Sequence, residues 1–198
     1  MALRHGNEAL RDLSESAATL SRILGPSHEE TLIAKYNRAL ALAYLGRTSE
    51  AEAVVAPIAA RYRSTYLDLV YKPYRPIYVS GVVKRLAGDP EAALATQQQA
   101  LALVENDRMT PWERMPIVAE IGLSQVDLKR YDQAITSLEQ ARSLFRKLQV
   151  RMTPVHAETL VGLGRAKMAQ GKVAEAMSLF EEADRFWRGL HAMQRVDV

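Results

Sequence analysis

Four histidines, one glycine–lysine string, scattered carboxylates and a block of tyrosines and arginines are the residues here whose chemistry could reach beyond packing. The histidines are His5, His28, His156 and His191. A zinc site needs converging ligands, often two histidines one helical turn apart. These four are far apart in sequence, and no His-x-x-x-His pair occurs. His28 and His156 each stand just ahead of a Glu-Thr-Leu, which suits a helix cap or a packing role. The string GLGRAKMAQGK (residues 162–172) has the glycines and lysine of a phosphate-binding loop. It lacks the spacing, the following Ser or Thr and a preceding strand that such a loop requires. Carboxylates are plentiful, as in HEETL and EEADRF. No two are flanked by an apolar stretch that would split their pKa values into acid and base. Residues 61–78 hold five of the eight tyrosines together with several arginines. Such a block can stack bases and neutralise phosphates, or it can pack as a loop onto helix ends.

Composition narrows the remaining classes. The 198 residues are 48% hydrophobic and 25% charged, a globular balance. There is no cysteine, hence no thiolate nucleophile, thiolate zinc site or disulfide, which is compatible with a cytoplasmic protein. No apolar run reaches the ~20 residues that span a bilayer, and MALRHGNEAL does not read as a secretory signal. The net charge of +3 sets 26 basic against 23 acidic groups, a mixed surface rather than a polyanion-binding one. Frequent Ala and Arg with few Lys suggest a bacterial gene.

What would position these residues is a repeat of about 42 residues. Small residues recur at Ala39, Gly81, Gly122 and Gly164, and again at Ala9, Ala51, Ala93, Ala134 and Ala176. Gly46, Gly88, Lys129 and Gly171 fall between the two series. Each unit reads as helix, turn, helix. The small residues let the two helices approach closely, and glycine ends the first helix by taking a left-handed conformation cheaply. Apolar spacings of three and four predict helices, and no run alternates with period two, so no strand is expected. Ser27, Thr110 and Thr153 stand near first-helix starts, and Pro111 and Pro154 suit a first turn. The expected parse is a half repeat at 1–25 consisting of a second helix only, repeats at 26–67, 68–109, 110–151 and 152–192, and a tail at 193–198. Pro57 should kink or shorten its helix, and the tyrosine-rich block should form a longer, irregular connection.

Leu160, Leu163, Gly164, Gly171, Ala176, Phe180 and Ala183 resemble the pattern of a tetratricopeptide repeat. Residues 24–52 are similar to its roughly 42-residue variety, found in kinesin light chains and in many bacterial regulators. Leu24, Gly25, Pro26, His28, Asn37, Ala39, Gly46, Glu50 and Ala51 carry that likeness. The likeness weakens over 70–106, where Thr96 and Gln97 replace the expected aromatic. Arg38 and Lys84 also stand where apolar residues are usual. HEAT and armadillo repeats share the period but lack the two ladders. The resemblance implies an all-α fold, an α-α superhelix or solenoid of antiparallel helix pairs. It further implies a non-enzymatic, cofactor-free scaffold or regulatory segment that binds a protein or peptide partner.

The same resemblance places a partner groove on the first helices. Its lining would be Tyr36, Asn37, Leu40 and Tyr44, then Arg75, Tyr78, Val82 and Arg85, then Glu120, Leu123 and Asp127, and finally Glu158, Arg165 and Met168. That is aromatic and apolar at one end, basic in the middle and acidic beyond, a lining that suits a peptide with an acidic stretch. Tyr36 stands where a carboxylate-clamping lysine would be, which argues against chaperone-tail binding. Phe186 and Trp187 lie where a following repeat could cover them, so a fragment of a longer protein, pairing as a homodimer through that helix, is expected. Two other readings stay open. One is a signal-peptide sensor controlling an attached effector domain. The other is single-stranded nucleic-acid binding through residues 61–78.

Overall fold

The computed structural model describes residues 2–64, 74–106, 110–149 and 153–193. Among them are nine helices and no strand: α1 (Ala2–Leu24), α2 (Glu29–Tyr44), α3 (Thr48–Ser64), α4 (Tyr74–Leu86), α5 (Pro90–Asn106), α6 (Pro111–Asp127), α7 (Tyr131–Lys147), α8 (Pro154–Ala169) and α9 (Val173–Met193). The fold class is all-α and tetratricopeptide-like. Two compact units divide the chain at Leu103 and Val104. In the first, α2 packs on α1, α3 and α4; in the second, α8 packs on α6, α7 and α9.

The turns inside the hairpins show why the helices stop where they do. Gly46, Gly88 and Gly171 have φ of 77°, 86° and 76°, and Lys129 takes the same left-handed state at 59°. At each turn two backbone bonds close the helix end: Gly46 N–H to Ala43 and Arg47 N–H to Leu42 in the first, Lys129 to Val126 and Arg130 to Gln125 in the third. This paired arrangement satisfies carbonyls that the last helical turn leaves open. Gly25 and Gln149, beyond second helices, are also left-handed. At the other ends, Thr110 N–H donates to Glu113 Oε2 at 2.9 Å, and Thr153 Oγ1 accepts from His156 N–H. His28 caps α2 by accepting from Glu30 N–H.

The small-residue ladders are the helix–helix contacts. Ala39, Ala51, Ala93, Ala134 and Ala176 are fully buried; Ala9, the first rung, is exposed. A methyl placed on Gly122 would stand 2.5 Å from Leu138 Cγ, and one on Gly164 2.5 Å from the Phe180 ring. On Gly81 it would meet Gln97 Cγ at 2.7 Å. The first unit's core gathers Tyr36, Leu42, Val55 and Val83 around Ala39. The second's gathers Leu123, Leu138, Leu160 and Leu163. Burying each such side chain stabilises by roughly 1.5–3 kcal/mol before entropy is charged.

Two features differ from expectation. Pro57 does not shorten α3, which runs 17 residues straight through it; Pro116 likewise sits inside α6. The carbonyl that each ring leaves without an N–H is one bond in a helix otherwise held by tertiary packing. The tyrosine-rich connection lies mostly outside the described residues, but its end does not: Tyr74 opens α4 and is buried.

Candidate interaction surfaces

The first helices differ in how much surface they leave: α2 buries one side and leaves the other available, whereas α6 is buried on every side from Ile117 to Ser124. On α2, Asn37 and Tyr44 are exposed, Tyr44 at 51%, and Leu40 is partly covered. Their spacing of three and four puts them on one stripe. On α4, Arg75, Tyr78 and Arg85 are partly buried and each already engages a neighbour. Since α4 packs on α2 within the first unit, the two stripes belong to adjacent helices.

In the second unit, α6 and α8 are likewise neighbours. Here Arg165 Nη1 donates to Asp127 Oδ1 at 3.2 Å. These two candidate residues are therefore together, their charges offset, and Glu158 is half-buried nearby along α8. Met168 is 38% exposed.

Four of the anticipated lining residues are interior instead. Tyr36, Val82 and Leu123 are buried at 7%, 1% and 5% exposure, and Glu120 at 0%. Tyr36 and Leu123 belong to the apolar cores. A helix wedged between several neighbours has a narrower free stripe than one lying on a flat core, so positions flanking the small-residue rung turn inward. Glu120 is a buried carboxylate that already has a partner.

Sequence reasoning did not single out Trp112, which is 51% exposed in the first turn of α6. Its place just after a capping threonine was the available signal. Phe186 and Trp187 are partly buried and meet edge to face, ring centroids 4.9 Å apart. His156 packs: its ring stacks on Phe145 at 4.3 Å, nearly parallel. Burial pushes its pKa down, the Glu182 carboxylate opposes this, and Arg142 and Arg146 push further down. The side chains of His5 and His191 lie outside the described set. Of the Tyr/Arg block, Arg61 donates to Ser27 Oγ at 2.8 Å, while residues 65–73 also lie outside it. Among the described residues, no group of three His, Asp or Glu is arranged to hold a metal, and no helix is long and apolar enough to cross a membrane.

Tight hairpins, left-handed turns and small-residue contacts repeated every 41 or 42 residues define an α-α repeat protein. Residues 120–191 match the family model of the tetratricopeptide repeat, and several solved structures are similar in fold to this chain. One is a kinesin light chain-type protein of Podospora anserina with nearly identical TPR-like repeats. It is 19% identical with a TM-score of 0.58, over 93% of this chain and 88% of that one. BtubC (BKLC) from P. vanneervenii is 13% identical with a TM-score of 0.58, over 96% and 93%. The apo form of RapI is 16% identical with a TM-score of 0.59, over 91% of this chain and 48% of that one. At these identities the likeness is one of fold. Among curated proteins, no significant sequence match is found.

Proposed function

We propose that the chain is a protein-interaction segment that holds a peptide or partner protein against the free stripes of its first helices. The observation that carries this reading is the α2 stripe. Asn37 and Tyr44 face solvent from a helix whose other side is core, beside α4 with Arg75, Tyr78 and Arg85. Tyr and Arg combine contact area with hydrogen bonding and dominate binding hot spots. In the second unit, Arg165, Asp127 and Met168 would form a contact of their own. The acidic-peptide preference rests on the arginines of α4. Cytoplasmic residence and a bacterial source belong to this proposal, on the absence of cysteine and the Ala- and Arg-rich composition.

The test compares capture of partners by the wild-type chain and by Arg75→Glu/Arg85→Glu, shown by circular dichroism to stay helical. Partners kept by the first and lost by the second support the stripe; equal retention by both sinks it. A second reading, the signal-peptide sensor, draws support from the likeness to RapI, a protein solved in an apo form. Compaction of the chain on adding a bound peptide, seen by small-angle scattering, would favour it over a static scaffold.

A further inference from the structure

The residue one place before each rung of the first ladder points into the packing: Ser80, Ile121 and Leu163 are all buried. The equivalent residue of α2 is Arg38. It lines a surface pocket between α1 and α2 with Asn7, Arg11, Ser14 and Arg47. Arg38 Nε is shielded from solvent and has no hydrogen-bond partner. A buried donor without an acceptor costs about 1–3 kcal/mol, more when it is charged, so a turn of the Arg38 side chain that brought Nε–H to an acceptor in this pocket would recover that cost.

The acids around the pocket do not supply one. Glu50 spends both oxygens on Arg47, at 2.6 and 2.7 Å. Asp12 lies 3.5 Å from Arg11, with both side chains more than two-thirds exposed. Glu8 already has a partner. Ser14 gives its hydroxyl proton to Leu10 O at 2.7 Å. Three guanidinium groups thus surround a concavity floored by Leu10 and Leu42, a floor that lowers the local dielectric and strengthens charge-assisted bonds.

We infer that this pocket binds a single oxyanion, a carboxylate or phosphate group, with the Arg38 guanidinium, its side chain turned to bring Nε–H to the pocket, as the inner donor and Arg11 and Asn7 at its mouth. The site uses none of the residues of the proposed partner stripe, so either can fail without the other. The guanidinium edge donates to two oxygens in one plane, a geometry both carboxylate and phosphate offer.

The experiment follows the arginine Nε–H resonances of the 15N-labelled chain at constant ionic strength. The titrants are inorganic phosphate, acetate and a capped tri-glutamate peptide. A saturable shift of the Arg38 resonance is expected. Response to phosphate alone would mark a phosphate-bearing ligand. A peptide response tighter than that of acetate would mark an acidic side chain of a partner. Arg38→Leu, which restores the apolar residue usual at this position, should weaken binding, read on the Arg11 Nε–H resonance, at least about tenfold, as loss of a charge-assisted bond requires. Arg38→Lys identifies the resonance and covers the case in which the leucine variant misfolds. If the wild-type resonance fails to saturate with any titrant, or if binding survives intact in Arg38→Leu, the inference is overturned.

Discussion

The two units fold by the same ladder but fill it differently. In the second, glycines at the contacts meet apolar groups: Gly122 faces Leu138, Gly162 faces Leu123 and Gly164 faces Phe180. In the first, Gly81 faces the amide side chain of Gln97, Arg38 occupies an inward rung, and α3 carries Pro57 mid-helix. The helix-to-helix position twelve residues on varies within and between the units and does not follow this contrast. Leu42 and Val54 both pack on the first core, whereas Lys84 donates to Thr96 at 2.9 Å and Ser137 donates to Gln125 at 2.8 Å. The family model matches only residues 120–191, inside the second unit. Close approach of backbones is thus the requirement that both units keep, while the chemistry of the side chain filling the gap is free to vary.

That difference predicts unequal costs for the same substitution. Alanine is a better helix former than glycine by about 1 kcal/mol, which favours both changes. At Gly122 the added methyl meets Leu138, branched at Cγ and fully buried, with the Leu138 backbone N at 3.2 Å. Overpacking there costs about 3 kcal/mol, so Gly122→Ala should lose about 2 kcal/mol net. At Gly81 the added methyl meets Cγ of the fully buried Gln97 at 2.7 Å; the unbranched side chain can yield in part, and Gly81→Ala should lose about 1 kcal/mol, less than Gly122→Ala. Both tryptophans, Trp112 and Trp187, lie in the second unit. Urea unfolding followed by tryptophan fluorescence therefore isolates the unit carrying Gly122, and far-UV circular dichroism reports the whole. Equal losses at the two glycines would show that side-chain chemistry at the gap is irrelevant.

The ladders, the helix–turn–helix unit and the capping threonines were legible in the sequence because each follows from a local rule about φ or close approach. Which of the anticipated lining residues reach the surface was legible only in part: Asn37 and Tyr44 are exposed and Asp127 pairs with Arg165, but Tyr36, Val82, Glu120 and Leu123 are interior. Whether a position flanking a small-residue rung faces out depends on how many neighbours its helix has, which is a tertiary quantity. Arg38 was visible as a departure from apolar usage; that its Nε lacks an acceptor was not, because the acids near it are spoken for only in three dimensions. Pro57 did not shorten its helix, because the rule for an isolated helix overstates the cost where packing holds the helix together.

A smaller contrast concerns the turns. Gly88, in the first unit, has a left-handed φ with nothing within 4 Å of where a Cβ would be. Lys129, in the second, adopts the same state with a side chain. The left-handed state costs a residue with a Cβ about 1 kcal/mol. Lys129→Gly should then stabilise the second unit by about 1 kcal/mol and Gly88→Ala should destabilise the first by a similar amount. Chemical denaturation of both variants checks this. A loss on Lys129→Gly would mean that the lysine side chain contributes a contact larger than its backbone strain.

A contact of low cost to break is the Asp127–Arg165 pair on the second unit's surface. Their side chains are 28% and 53% exposed, so solvent screens most of the Coulomb attraction. A double-mutant cycle of Asp127→Ala and Arg165→Ala should return a coupling of about 0.5 kcal/mol or less, shrinking further in high salt. A coupling well above about 1 kcal/mol would recast the pair as a structural clasp rather than surface chemistry. With the small value, the charge can be changed with little stability loss. Arg165→Glu then becomes a clean probe: because the helix beneath it stays folded, weakened partner capture by that variant would be a loss of recognition and not of fold. Under that condition, the effect of Arg165→Glu compared with that of Arg75→Glu/Arg85→Glu measures how recognition is divided between the two units.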